Sequence, residues 1–410
     1  MEDYQNNLDD LSQNYGKNIL PLSNYEKNYF LGTSPLEVLL FYKKGTSLER
    51  IETCGFKTLD HYNIFSSRLI MTEPDKFALV YCTDGVAKSV LPPLDKTFDE
   101  IDLDEISKMI IHIKTLPGEP LFAVTGIPIK DGILAGVSCS HAVGDGISLM
   151  LVLYAWNCMI EGKDFPLPSP QRLFKGSPVR FETIDQKFIP PLSELGKGIQ
   201  NHFNHVNPIR TYTTKEYFSD EFIAEMKNKA RLEKSTYPIS SHQIMTSFLL
   251  KKYHHHLLPN SDKVILRSPI NLRNLHPDVD PLYLGSANFN SFTEFTKDEI
   301  DHMSITEIAC RLKKSMVQMR TADYARTISY LTGYGLEIDT EILDKTHPHY
   351  DIENNIVSSN LTHWNDLESM FMGSNVGSIL HIGLLVQTGF TMLKEKSGRN
   401  FAQVTGRYPF

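Results

Sequence analysis

The sequence predicts an α/β (α+β) protein that is built from two domains. The chain has 410 residues, while a single domain usually takes about 100–200. Strand patterns that end in turn residues alternate with helical patterns in both halves of the chain. The halves are separated by residues 164–208, a stretch with many prolines and no hydrophobic periodicity, which is typical of a linker.

The first half predicts helices and hairpins in alternation. Its two hairpin patterns turn at Thr83-Asp84-Gly85 and at Lys130-Asp131-Gly132, and Asp-Gly is frequent in tight turns between antiparallel strands. The run Ile147–Ile160 is shorter than the ~20 residues of a membrane helix, so it predicts a buried helix and no membrane span. The elements in order are a helix at Ser47–Leu59, a hairpin beginning with Phe77–Tyr81, a helix at Asp104–Ile113, a hairpin of Leu121–Ile129 with Ile133–Ser140, and the helix from Ile147.

The second half repeats the alternation. Its predicted helices are Ser219–Leu232, Ser241–His256, Ser304–Arg320 and Thr321–Leu331, and its predicted strands are Lys263–Ile270, Asn355–Asn360 and Gly377–Leu385. We therefore expect an N-terminal lobe over 1–163, a crossover linker over 164–208 and a C-terminal lobe over 209–410.

Charge and cysteine content exclude several classes of function. The net charge of −8 and the pI near 6.0 offer no basic surface for a phosphate backbone, so we expect no nucleic-acid partner. Five cysteines without a CxxC pair favour reduced thiols over a disulfide or zinc framework. Residues 1–18 are polar and acidic, unlike a signal peptide, and we expect a cytoplasmic protein. The consecutive His254–His256 would point in different directions on a helix, which favours a solvated helix end and no metal site.

One segment, Ala135–Ser148, concentrates residues that carry chemistry. A predicted strand leads into His141, the chain turns at 144–146, and a helix follows. An imidazole at such a strand end can accept a proton near neutral pH. Asp145 stands at the start of the helix, where backbone N–H groups or a distant arginine can satisfy a carboxylate and fix the bend that presents His141.

The pattern H-x-x-x-D-G by itself leaves a second interpretation open. His141 could be a hydrogen-bonded core histidine, and Asp145-Gly146 could be only a turn and a helix cap. Cys139 lies on the same strand face as His141 and could act as a nucleophile, although a packed small apolar residue is the interpretation we favour.

The segment resembles the BAHD acyltransferases, in which a strand pair leads to HxxxDG and then to an apolar helix with Ser and, later, Trp. Here these helix residues are Ser148 and Trp156. The family belongs with chloramphenicol acetyltransferase and the condensation domains of peptide synthetases. Further segments match in order over nearly the whole chain, namely Leu22-Ser23, Ser66–Leu69, Tyr81–Val86, Tyr217–Ser219, Ile239–His242, Pro269–Arg273 and Pro281–Ser286.

The resemblance implies two chloramphenicol-acetyltransferase-like lobes, each a mixed sheet with flanking helices, and an active-site channel between them. It implies transfer of an acyl group from a coenzyme A thioester to a hydroxyl or amine of a small molecule, by a monomer of secondary metabolism without a tightly bound cofactor. Because the leaving thiol of a thioester has a pKa near ~8.5, such an enzyme needs a base but no nucleophile of its own. The chain has no G-x-S-x-G pattern that would suggest a covalent route.

The resemblance also assigns roles to residues. His141 would be the general base, and Asp145 would be structural, paired with Arg273 and supported by Gly146. Ser358 and Asn360 would be oxyanion donors, although ordinary polar residues of a strand are an equally good interpretation.

Two features concern coenzyme A and one departs from the family. Ser240 and Ser241 are candidates for contacting coenzyme A, and the cations Lys251, Lys252 and Arg267 are candidates for holding its phosphates. The D-F-G-W-G signature is absent, because residues 357–373 keep only its Phe and one Gly, which indicates a divergent member. Gly285-Ser286 replaces the expected Gly-Asn.

Two other functions remain open from the sequence. The chain could be a condensing enzyme of the same fold that takes its acyl group from a carrier protein. It could also be a non-catalytic binding or scaffolding protein, although the retained His141, Asp145, Gly146 and Arg273 speak against that class.

Overall fold

The computed structural model describes residues 19–22, 26, 35–73, 76–169, 212–233, 235–273, 275–277, 279–325, 354–362, 376–381, 388–394 and 398–410. The chain divides into two compact units. The first comprises Met1–Phe174, Asp280–Ala287 and Trp364–Gly383, and the second comprises Lys175–Val279, Asn288–His363 and Leu384–Phe410. Elements are numbered below in chain order.

The first unit contains two sheets and three α-helices among its described residues. Its strands are β1 (Ile19–Pro21), β2 (Leu36–Lys43), β3 (Ser67–Glu73), β4 (Lys76–Tyr81), β5 (Val86–Val90), β6 (Phe122–Ile129), β7 (Gly132–Cys139) and β12 (Val376–His381), and its helices are α1 (Leu48–His61), α2 (Leu103–Ser107) and α3 (Gly146–Glu161). One sheet has the order β12-β2-β7-β6-β5 and the other β1-β4-β3. The predicted hairpin of β6 and β7 is confirmed, with Phe122 opposite Cys139.

The second unit is a six-stranded mixed sheet with helices in its described part. Its strands are β8 (Tyr212–Phe218), β9 (Lys263–Asn271), β10 (Asn288–Thr296), β11 (Asn355–Asn360), β13 (Gly389–Lys394) and β14 (Asn400–Gly406), and its helices are α4 (Asp220–Leu232), α5 (Ser241–Leu257), α6 (Lys297–His302) and α7 (Ile305–Met319). The strand order is β10-β9-β11-β13-β14-β8. Serine caps begin three of the helices, because the side chains of Ser219, Ser240 and Ser304 accept backbone N–H groups of the first turn.

The helix that follows the histidine motif, α3, is buried along most of its length. Helix α1 packs closely on α3 at Gly55, where a Cβ atom would lie only 2.7 Å from the ring of Trp156. The indole N–H of Trp156 donates to the Ile51 carbonyl at 2.7 Å, and Arg50 Nε donates to the Ile160 carbonyl at 2.9 Å. These contacts hold the helix that begins at Gly146 in a fixed position within the first unit.

The two units are not contiguous in sequence, in contrast to the predicted lobes 1–163 and 209–410. The segment Asp280–Ala287 belongs to the first unit, and so does β12, which pairs with the edge of the first unit's sheet at β2. Backbone pairing between strands so distant in the chain leaves no signal in local periodicity. Of the predicted crossover 164–208, residues 170–208 lie outside the described residues.

The predicted hairpin that begins with Phe77–Tyr81 is wrong. Strand β4 pairs with β3 and β1, whereas β5 joins the other sheet, parallel to β6. At the turn between β4 and β5, the backbone of Gly85 lies so close to the Ser66 carbonyl that a Cβ atom would lie 1.8 Å from that oxygen, so glycine is required there.

The predicted helix Asp104–Ile113 ends early, at Ser107. Beyond it, backbone N–H groups are satisfied by side chains of the sheet: Ile111 N–H donates to Thr125 Oγ1 at 3.0 Å and Ile113 N–H donates to Ser138 Oγ at 3.1 Å. The tertiary hydrogen bonds thus replace those of a longer helix. No described helix has the length and apolar character needed to cross a membrane.

Candidate active site

The histidine motif lies where β7 ends and α3 begins, as the sequence predicts. Ser140 shapes the connection: its N–H donates to the Leu121 carbonyl at 2.8 Å, and its hydroxyl accepts the N–H of Ala142 at 3.1 Å. The Val143 N–H donates to the Ser140 carbonyl at 3.2 Å and closes the turn. His141 is therefore carried by a short connection that is hydrogen-bonded at both ends.

Asp145 is fully buried and holds this connection to two other parts of the first unit. It is the N-cap of α3, with Oδ1 accepting the N–H of Ser148 at 3.0 Å. Its second oxygen, Oδ2, accepts the N–H of Ala287 at 3.0 Å. A buried carboxylate needs such charge-assisted hydrogen bonds. The structural role of Asp145 was a prediction, but its partner Ala287 could not be read from the sequence, because a backbone N–H leaves no residue-specific signal.

The segment 280–287 encloses the motif from the other side. Ser286 Oγ donates to the His141 carbonyl at 2.9 Å, and Ser148 Oγ accepts the N–H of Gly285 at 3.1 Å. Gly285 has φ +135°, and a Cβ atom there would lie 2.8 Å from the ring of Tyr283. Glycine is therefore required at this position. The replacement of the expected Gly-Asn by Gly285-Ser286 preserves the contact to the motif through the serine hydroxyl.

The His141 ring is held in its neutral form by its surroundings. Desolvation lowers the pKa of His141 to about 4, and the charge of Asp145 and a backbone hydrogen bond at Gly144 oppose that effect only in part. The Nδ1 atom of His141 is buried. Burial also raises the pKa of the Cys139 thiol, which supports the interpretation of Cys139 as a packed residue.

The second unit places Ser358 in a buried cluster of polar side chains. Its hydroxyl lies 2.9 Å from Nε2 of His242 and 2.8 Å from Oγ1 of Thr246, both on α5. Asn360 closes a local turn, because its Oδ1 accepts the N–H of Thr362 at 3.1 Å. The NH₂ group of its side chain is the part of Asn360 that can donate a hydrogen bond. His242 was part of a matched segment, but its contact with β11 depends on the tertiary structure.

The other predicted site residues are engaged by protein groups. Ser240 forms a capping box with Gln243, and Ser241 Oγ accepts from Lys227 at 2.9 Å. Arg273 is buried and donates to Asn271 Oδ1 at 3.3 Å, and its predicted pairing with Asp145 stays a prediction.

The three cations predicted as candidates for the phosphates of coenzyme A are buried or bound to protein groups. Lys252 Nζ is 2.6 Å from Glu216 Oε2, Lys251 Nζ donates to the carbonyl of Ile300 at 2.9 Å, and Arg267 is buried. Each would have to exchange protein contacts for a phosphate.

A cavity of about 220 Å³ in the first unit lies apart from His141. Its walls come from α1, α3, β5, β6 and β7, and they include Phe56, Val124 and Trp156. His141 and Asp145 are not among the lining residues, so this cavity does not mark the histidine site.

Comparison with known proteins decides the family. The profile of the family described as the Transferase family matches residues 11–364, most of the chain. The chain belongs to this family, the BAHD acyltransferases. It is therefore an acyltransferase, and the departures at the D-F-G-W-G signature make it a divergent one.

Individual relatives of this acyltransferase are distant. It is 22% identical over 336 residues to spermidine coumaroyl-CoA acyltransferase of Arabidopsis thaliana, and this alignment covers 72% of this chain and 68% of the relative. Its fold is similar to that of F. sporotrichioides TRI101 complexed with coenzyme A and T-2, at a TM-score of 0.73, 12% identity and 95% coverage of both chains. Vinorine synthase is similar at a TM-score of 0.60 and 14% identity, covering 95% of this chain and 90% of its own.

Proposed function

We propose that this acyltransferase moves an acyl group from a coenzyme A thioester to a hydroxyl or amine of a small molecule, with His141 as the general base. The observation that carries the proposal is the neutral, half-buried imidazole at a strand end whose position Asp145 and Ser286 secure by hydrogen bonds. A neutral ring can accept a proton, whereas a protonated ring cannot.

The proposed proton path needs no covalent enzyme intermediate. As the acceptor oxygen or nitrogen attacks the thioester carbonyl, His141 takes its proton, and a tetrahedral oxyanion forms. Collapse of this intermediate breaks the carbon–sulfur bond, and the imidazolium returns the proton to the departing thiolate. The products are the ester or amide and coenzyme A, so atoms and charge balance.

We propose Ser358 as a donor to the developing oxyanion, with His242 as a positioning residue. A hydroxyl has one proton and two acceptor sites. When Thr246 and the Nε2–H of His242 both donate to Ser358 Oγ, the Ser358 proton, whose contact within the protein is the Met392 sulfur at 4.0 Å, can turn to the substrate. The arrangement supplies a fixed donor without a charged group.

Removal of the Ser358 hydroxyl is expected to lower kcat by about 10²–10³ with a smaller change in KM, because an oxyanion donor acts in the transition state. The measurement is steady-state kinetics of Ser358→Ala beside Ser359→Ala, the neighbour on the same strand. His242→Ala should reproduce most of the loss. Equal kinetics for the Ser358 and Ser359 variants would contradict the role.

The relatives support the substrate classes in the proposal. One is named for spermidine and coumaroyl-CoA, and TRI101 structures contain coenzyme A with T-2 or with deoxynivalenol. By analogy with these relatives, we propose that the acceptor is a small-molecule alcohol or amine and that the enzyme acts in secondary metabolism. We also propose that the protein is a cytoplasmic monomer that uses acyl-CoA as a diffusible co-substrate and has no tightly bound cofactor. The five free thiols support the cytoplasmic location, because thiols stay reduced there.

A panel of acyl-CoA esters tests the donor. We expect acetyl-CoA, malonyl-CoA or a related ester to raise the thermal midpoint, because a ligand that binds only the folded state stabilises it. Mass spectrometry of incubations with mixed alcohols and amines should then detect acylated products. Turnover only with an acylated carrier protein would favour the condensing-enzyme alternative, and neither binding nor turnover would favour the scaffold.

A further inference from the structure

The end of α5 and the helix α6 bring two histidines to one carboxylate, in the second unit and outside the proposed catalytic residues. His254 Nε2 lies 3.3 Å from Asp301 Oδ1, and His255 Nε2 lies 2.9 Å from Asp301 Oδ2. The next histidine, His256, turns away, with its Nε2 3.2 Å from the Tyr408 carbonyl. The run of three therefore does not converge on one point, but two of its members do.

The tautomer of His254 follows from its second nitrogen. Nδ1 lies 2.8 Å from the Leu250 carbonyl, which can only accept, so Nδ1 carries the hydrogen. In a neutral ring Nε2 then has a lone pair, and this lone pair faces the carboxylate oxygen of Asp301. Two acceptors at 3.3 Å repel each other unless a cation lies between them.

That cation is either a proton or a metal ion. His254 is only 1% exposed, which contradicts the predicted solvated helix end for this residue. Nε2 of His254 is buried, and no described group donates a hydrogen bond to it. A metal ion would satisfy this lone pair and the facing carboxylate oxygen together.

Ligand types and distances fit zinc. Imidazole nitrogen and carboxylate oxygen are ordinary zinc ligands, with bonds of about 2.0–2.2 Å, so two ligands of a tetrahedral ion lie about 3.4 Å apart. The observed nitrogen–oxygen distances of 3.3 and 2.9 Å are close to that value. Histidines that bind metals commonly donate their other ring N–H to a carbonyl, and Nδ1 of His254 makes this contact with Leu250.

We propose that His254, His255 and Asp301 bind a divalent transition-metal ion, with Zn²⁺ as the best match. His255 and Asp301 are 60% and 45% exposed, so water can complete the coordination. Lys251 lies nearby, with Nζ donating to the Asp301 carbonyl at 3.2 Å, and its charge opposes the ion and moderates the affinity. The ion would join α5 to α6 and stabilise the second unit.

The test is calorimetric titration of Zn²⁺ into the full chain, produced without a histidine tag and dialysed against chelator. We expect one saturable site that weakens by at least about tenfold in Asp301→Asn and His255→Ala, because each removes a ligand. His256→Ala is the matched control and should bind as the wild type does. Zn²⁺ should also raise the thermal midpoint of the wild type and of His256→Ala only.

Two further measurements check that the variants fold and that the bound ion is tetrahedral. The thermal midpoints of the metal-free variants report whether each one folds, and Co²⁺ in place of Zn²⁺ should give the visible absorption of a tetrahedral ion. Saturable binding that persists unchanged in Asp301→Asn would overturn the proposal, and so would the absence of saturable binding by the wild type at sub-millimolar Zn²⁺. The readouts do not involve acyl transfer, so they are independent of the proposed function.

Discussion

His141→Ala is expected to lower kcat/KM by about 10²–10⁴, the range that a positioned general base contributes. The neutral ring at the end of β7 is the proposed proton acceptor, and alanine leaves the acceptor's proton to water. The thermal midpoint of the variant reports whether the loss of the ring also affects folding. Kinetics with the best acyl-CoA from the panel, together with the thermal midpoint, measure both.

His61→Ala is the matched control, because His61 is an exposed histidine at the end of α1. It should keep wild-type kinetics. A folded His141→Ala protein with wild-type turnover would falsify the role of His141 as the base.

The pH profile offers a second measure of the same residue. Activity requires the neutral ring, so it falls as the pH drops through the pKa of His141. Because desolvation lowers that pKa to about 4, kcat/KM should stay level down to about pH 5, well below the ~6.5 of an ordinary histidine. Short assays after a pH jump separate this loss from unfolding. An acidic limb near pH 6.5 would show that the ring is more solvated than the structure indicates.

Asp145→Asn is expected to lower both the activity and the stability of the protein. The amide can still accept the N–H of Ser148 with its oxygen, but its NH₂ group would face the N–H of Ala287. A buried donor left unsatisfied costs about 1–3 kcal/mol. Because the carboxylate also fixes the turn that carries His141, we expect kcat/KM to fall by about 10²-fold, the loss that a misplacement near 1 Å can cause.

Asp102→Asn is a matched control for Asp145→Asn. Asp102 also caps a helix, α2, and its Oδ1 accepts the N–H of Asp104 at 2.8 Å at an exposed position. The same chemical change there should leave activity unchanged and cost well under about 1 kcal/mol. Denaturant unfolding and kinetics of both variants provide the comparison, and equal losses at the two caps would mean that the contact with Ala287 carries no special weight.

The local elements that the sequence predicts well are those with strong end signals. Helices α4, α5 and α7 begin beside Ser219, Ser240 and Ser304, whose side chains cap them. The β6–β7 hairpin follows from its Asp-Gly turn. The corrected hairpin and the corrected helix have a common cause, since the pairing of β5 and the early end of α2 are both decided by hydrogen bonds to strand β6.

The candidate site divides in the same way. His141, Asp145, Gly146 and Ser148 lie within eight consecutive residues, so their order along the chain was enough to predict a strand end, a turn and a capped helix. The contacts from Ala287 and Ser286 could not be predicted from the sequence, because they come from a segment more than a hundred residues away.

Residue order and short-range periodicity were enough to predict the fold class, the family resemblance and the proposed base. The folded structure was needed to place segment 280–287 in the first unit and to indicate a neutral His141 ring. It also decided that His254 and His255 meet Asp301. The physical reason is that desolvation and hydrogen-bond partners depend on which distant residues are brought together, and a linear pattern does not contain those distances.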